Sequence, residues 1–174
     1  MILRFKKSST SLAFTIIEVL VVFVILGILV ALLVPNITAL QNKAEGVVCN
    51  ARLRNLWTAF SSELHDGNGW PQIPPGTEIG SIAEQQWWLE TTSNSMGLTK
   101  KDWSCPTLAR NASRATNNSQ HVFLIGYLPT LFDAKSSTPS KWPRMPWFTE
   151  SVDSHGGGNL SVRADGSVSP VQDP

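Results

Sequence analysis

The sequence predicts an α+β fold: a long N-terminal helix, apolar in its first half and amphipathic in its second, packed on a small antiparallel sheet in a loop-rich head. Three observations carry this expectation. Phe14 to Val34 reads FTIIEVLVVFVILGILVALLV, almost wholly apolar, with Glu18 its one ionisable residue. From Ile37 the apolar residues change to three- and four-residue steps, the period of a helix covering a core with one face. Near the C-terminus, Asn159 to Arg163 and Ser167 to Val171 alternate as paired strands do.

The first run has 21 residues. At about 1.5 Å rise per residue they reach roughly 30 Å, the thickness of a bilayer's hydrocarbon core. Arg4, Lys6 and Lys7 precede it. Basic residues there predict a cytoplasmic N-terminus and an exported C-terminal part, as a single-pass protein. A generic signal anchor or a cleaved secretory peptide would begin similarly. The run is long for a secretory h-region, however, and a charged residue five positions past Ala13 is unexpected in one. A carboxylate so near the start of such a segment is costly in lipid and needs a partner.

Pro35 ends the run. Beyond it Ile37, Leu40, Ala44, Val47, Val48, Ala51, Leu56, Phe60 and Leu64 recur at helical spacing, with Asn42, Lys43, Glu45, Arg52 and Asn55 mostly between them. One helix from about Phe14 to Leu64 follows, with 14–34 in the membrane, 35–66 amphipathic, and Gly67-Asn68-Gly69 as its stop. Residues 67–174 remain for the head, one small domain.

Within the head, Trp70 to Gly76 is a loop by its Pro and Gly content. Ser81 and Glu84 have capping-box spacing and open a short helix through about Thr91. That helix carries Trp87 and Trp88, which cannot both face one core, so one belongs at an edge or a subunit contact. His121 to Tyr127 reads as a strand, 135–146 as an exposed loop, and Trp147 to Thr149 as a short strand. A tight turn at Asp165-Gly166 joins the last two strands in a C-terminal hairpin.

The formal net charge is +1, too small for a nucleic-acid footprint, and no nucleic-acid partner is expected. Export sends Cys49 and Cys105 to an oxidising compartment where a disulfide persists. A bridge would close a loop of 57 residues. In the chain-entropy model it contributes about 4 kcal/mol and pins the head to the helix. Two separate buried thiols are the alternative.

Ala13-Phe14-Thr15-Ile16-Ile17-Glu18 resembles the processing site of type IV prepilins and type II secretion pseudopilins. The resemblance implies that a prepilin peptidase removes residues 1–13 as a leader, between Ala13 and Phe14. Phe14 becomes the N-terminus, typically N-methylated, and Glu18 the fifth residue, its carboxylate paired with the N-terminal ammonium of a neighbouring subunit. The family usually has Gly before the cut; Ala13 is the nearest residue in size. Pilins of this kind carry a proline near the place of Pro35, where it kinks or locally melts the helix.

The ending of His155, nine residues and Asp165-Gly166 looks like that of one large group of prepilin-type proteins. Cys49-Asn50, Leu53-Arg54-Asn55-Leu56, the run His65 to Pro71, and Trp103-Ser104-Cys105-Pro106 are similar to further elements of the group. The likeness covers the N-terminal third and the C-terminus; between residues 72 and 145 it rests on the Cys-Pro element. It implies a pilin-like fold and a structural subunit, pilin or pseudopilin, of a type IV pilus-like filament or type II secretion pseudopilus. The implied partners are homologous subunits, the prepilin peptidase and an inner-membrane assembly platform. The implied place is the bacterial inner membrane, head periplasmic. Losing the three leader cations would take the net charge to −2.

A competing function is a membrane-anchored or filament-tip binding module that holds a glycan or an exported protein through Trp70, Trp87, Trp88, Trp142 and Trp147. Against it stands the plainer reading that these tryptophans fill the core and subunit contacts. His155 and Asp165 also suit an acid–base pair, or metal ligands with Asp153. A hairpin whose side chains hydrogen-bond the loop backbone explains them more simply. No nucleophile is recognisable by spacing, and an enzyme is not expected. The major pseudopilins the chain resembles often hold calcium, which takes about six to eight oxygen ligands. Glu150, Asp153 and Asp165 are the carboxylates available for it, without regular spacing, so no cofactor is assigned.

Overall fold

The computed structural model describes residues 15–114, 124–153 and 157–171. The chain divides into two compact units, 1–40 and 41–174. Helix α1, Ile16–His65, is 50 residues long. In the first unit it supplies one helix long and apolar enough to cross a membrane, Ile16–Leu33, none of it buried. The backbone is helical through Pro35.

In the second unit, Cys49, Leu53, Leu56 and Phe60 form a buried stripe along α1 at helical spacing. The helix ends where expected. Gly67 takes φ +86°, and the Asn68 N–H donates to the Glu63 carbonyl at 3.0 Å. Gly69 meets a different demand: a Cβ there would lie 1.9 Å from the Ala134 carbonyl oxygen. Only a residue without a side chain lets the two backbones approach so closely.

Helix α2, Ile82–Met96, starts at Ser81, whose hydroxyl accepts the Glu84 N–H at 3.2 Å. The Glu84 carboxylate reaches back to the Gly80 N–H, one residue before the usual capping-box partner. The helix runs past the expected end at Thr91 to Gly97 at φ +66°. Along its polar run the hydroxyls bond back one turn, Thr92 to the Trp88 carbonyl at 2.7 Å and Ser95 to the Thr91 carbonyl at 2.9 Å. Trp88 is buried and Trp87 half-buried, their ring centroids 4.9 Å apart.

Helix α3, Pro106–Arg114, occupies a stretch with no expected element. The strand expected over 121–127 is displaced. Residues 121–123 lie outside the described residues, and strand β1 is Tyr127–Pro129. Before it, the N–H groups of Leu124 and Ile125 donate to Gln85 Oε1 at 2.7 and 3.3 Å. Gly126 N–H donates to the Trp103 carbonyl at 2.6 Å. Partners on α2 and the Trp103 loop thus replace a sheet ladder. The expected loop at 135–146 contains a single-turn helix α4, Thr138–Lys141, with Pro139 buried.

Strands β2 (Pro146–Glu150), β3 (Leu160–Arg163) and β4 (Val168–Pro170) complete a four-stranded antiparallel meander in the order β1-β2-β3-β4. Pro129 pairs with Phe148, Phe148 with Val162, and Val162 with Val168. Tyr127, Phe148 and Val162 are buried in one core with the α1 stripe. Phe60 is the hub, its ring centroid 4.8 Å from Phe148, 4.9 Å from Trp70, 6.2 Å from Trp88 and 6.4 Å from Trp103. Phe60→Ala therefore removes one side of four aromatic contacts. It is expected to cost about 3–5 kcal/mol, read as a lowered urea midpoint for the detergent-solubilised chain.

Candidate functional site

At the start of α1, the Glu18 carboxylate accepts two hydrogen bonds from Thr15, from its N–H at 2.9 Å and its hydroxyl at 2.9 Å. The Thr15 hydroxyl in turn accepts the Glu18 N–H at 3.4 Å. This is a reciprocal capping box of the Thr-x-x-Glu kind. Glu18 therefore caps its own helix, a role legible in the Thr15-Ile16-Ile17-Glu18 spacing but not assigned to it there. Ala13 and Phe14 lie outside the described residues.

Within the head, α1 holds the segment 102–110 by side chains on either side of Cys49. Arg52 donates to the Ser104 carbonyl, and Asn55 Nδ2 donates to Asp102 Oδ1 at 2.9 Å. One turn before Cys49, the Glu45 carboxylate accepts from the Thr107 hydroxyl and forms an ion pair with Arg110, which also donates to Asn42 at 3.0 Å. Cys105 lies between these ties, its Sγ 3.1 Å from Cys49 Sγ, and both residues are buried. The structure thus brings the two cysteines together as two buried free thiols.

Glu150, 2% exposed, joins them: one carboxylate oxygen and the two sulfurs all lie within 4.8 Å of one another. Its Oε2 accepts the Leu160 N–H at 3.0 Å. The Cys49 thiol is pushed far above its usual range by its hydrogen bond with Cys105, then by burial, with Glu150 adding to both.

The three carboxylates expected for calcium do not form a set. Glu150 faces the sulfurs from the core, Asp153 is exposed and accepts the Gly158 N–H at 3.1 Å, and Asp165 is exposed in the hairpin turn. An oxygen-only cation needs converging carboxylates and carbonyls, so these residues do not fit calcium.

His155 lies outside the described residues. Asp165 Oδ1 accepts the Ser167 N–H at 2.9 Å, and hydrogen bonds from the Ser167 side chain and backbone hold its carboxyl below the ordinary range. Gly166 takes φ +76°, and a Cβ there would lie 3.2 Å from the Trp57 ring. Trp57 Nε1 donates to the Ala164 carbonyl at 3.1 Å. The Asp-Gly turn is therefore shaped to seat the last hairpin on an α1 indole.

Of the five tryptophans considered for ligand binding, Trp70, Trp88 and Trp147 are core residues. Trp87 is half-buried, and Trp142 alone of the five stands open, 59% exposed beside the exposed Met145. The core assignment corrects the binding expectation for those three. An open groove runs along the head half of α1, lined by Asn42, Lys43, Val47, Ala51, Arg54, Gly158, Leu160 and Pro170.

No family model matches the chain. No solved structure matches it.

Gly166→Ala combines a backbone conformation unfavourable for any Cβ with contact against Trp57. It is expected to cost about 1–3 kcal/mol, seen as a lower urea midpoint and a changed tryptophan emission. Trp142→Ala should leave the midpoint within about 0.5 kcal/mol of wild type.

Proposed function

We propose that this chain is a structural subunit, pilin or pseudopilin, of a type IV pilus-like filament or a type II secretion pseudopilus. It is assembled in the bacterial inner membrane with its N-terminus cytoplasmic and its head outside. The observation that carries the reading is α1: one helix whose first half is apolar on every side and wholly exposed, and whose second half supplies the core stripe of a folded head. Such a helix needs lipid before assembly and other helices after it. Glu18 near its start and the prepilin-like run Ala13 to Glu18 support the same reading.

On this account the prepilin peptidase removes residues 1–13, and a motor at the inner-membrane platform draws subunits into a bundle of α1 helices. Burial of helix against helix replaces burial in lipid. The Glu18 carboxylate, held at the helix start by Thr15, meets the Phe14 ammonium of the next subunit and sets the register. The mechanism is assembly, without turnover.

Glu18→Gln separates the two roles of this residue, since the amide can still accept from Thr15 but carries no charge. It should insert, be cleaved to Phe14 and fold, yet yield few or no filaments in the sheared fraction. Glu18→Ala should show the same defect and also lose a cap worth about 1 kcal/mol. Wild-type amounts of filament from Glu18→Gln would overturn the register mechanism.

Trp142, exposed in a loop with Met145, favours a narrower second reading, a filament-tip or membrane-anchored module that binds a glycan or an exported protein there. Stoichiometry separates the two, because a major subunit outnumbers a tip subunit many-fold in purified filaments.

A further inference from the structure

We infer that Cys49 and Cys105 close a disulfide that staples the head half of α1 to the loop before α3, and that Glu150, lodged against the pair, guards this bond from reduction. The bond rests on the export of the head proposed above. The geometry is specific. The sulfurs come from residues 56 apart in sequence and lie 3.1 Å from each other. The segment bearing Cys105 is tied to α1 at Ser104 by Arg52 and at Thr107 by Glu45, so the pair meets in a fixed frame. Bond formation brings the sulfurs about 1 Å closer, a movement within reach of side-chain rotation.

The reaction balances against a disulfide-bearing oxidant of the exported compartment. Two thiols lose two protons and two electrons as the S–S bond forms, and the oxidant's own disulfide is reduced to two thiols. Exchange proceeds through thiolates. In the folded head, burial closes the sulfurs to attackers, and a thiolate would have to form against the Glu150 carboxylate in an apolar core. The bond is therefore made while the head is still folding and is sealed once the core closes. Glu150 disfavours the thiolate leaving group and repels anionic attackers.

The test uses the full chain, extracted from membranes in detergent without reductant and denatured in excess N-ethylmaleimide so that buried thiols are alkylated as they are exposed. Intact mass should show no adduct before reduction and two after it. Two adducts without reduction, or a stoichiometric zinc ion held by the reduced pair, would overturn the disulfide. Protease access to the head from the outer face of the membrane tests export without reference to the thiols, so the two failures are distinguishable.

For the guard, Glu150→Gln keeps the side chain's shape and an acceptor for the Leu160 N–H. Native reduction by dithiothreitol should become roughly tenfold faster, with no change in guanidinium. A second readout needs no variant. Cationic cysteamine should outpace anionic mercaptoethanesulfonate by a larger factor on the native chain than on the unfolded one. Equal native rates for the variant, or equal ratios for the two thiols, would overturn the role of Glu150.

Discussion

Everything in the head is arranged around the stripe of Cys49, Leu53, Leu56 and Phe60 on one side of α1. A four-stranded sheet of three- to five-residue strands is too small to make a core by itself. It needs a long rigid element to lie against, and α1 provides one that is nucleated elsewhere. Phe60 then gathers Trp70, Trp88, Trp103 and Phe148 around itself.

Burying so many indoles creates a polar demand, since each carries an N–H that water would otherwise satisfy. Trp88 donates to Glu84 at 3.2 Å, Trp103 to the Thr92 hydroxyl at 3.0 Å, and Trp147 to the Pro139 carbonyl at 3.4 Å. Thr92 passes the bond on to the Trp88 carbonyl. This explains why a helix rich in Thr, Ser, Gln and Glu lines an aromatic core. Its polar side chains serve the Trp88 and Trp103 indoles and, through Gln85, the irregular backbone before β1.

Local chemistry was legible in the sequence; distant partnership was not. Ser81 and Glu84 marked the start of α2, the glycines at 67 and 69 its predecessor's end, and Asp165-Gly166 the final turn, because caps and turns are written within a few residues. The α+β class and the apolar first half of α1 followed from periodicity and length alone. The end of α2 was missed because its hydroxyl residues read as a loop until their bonds to the preceding turn are seen. Helix α3 was missed because Pro106 to Arg114 has few apolar residues to set a period. The strand before Tyr127 was misplaced because its backbone partner is a glutamine side chain about 40 residues earlier. Compartment and count gave a Cys49–Cys105 bridge only as an expectation, and nothing local pointed to the two thiols meeting, to Glu150 beside them, or to the separation of the three acidic residues that composition offered to calcium.

The contact between the last hairpin and Trp57 spans 107 residues of sequence in the bond from the indole to Ala164. It also sets an order on biogenesis. In synthesis from the N-terminus α1 emerges before the hairpin, so the Trp57 face stays uncovered until Ala164 has followed it. A chain stalled or clipped before Leu160 lacks Val162 and the Asp-Gly turn together, leaving the sheet two strands short and the aromatic core open to water. Such a fragment would expose the apolar surface that the hairpin otherwise covers.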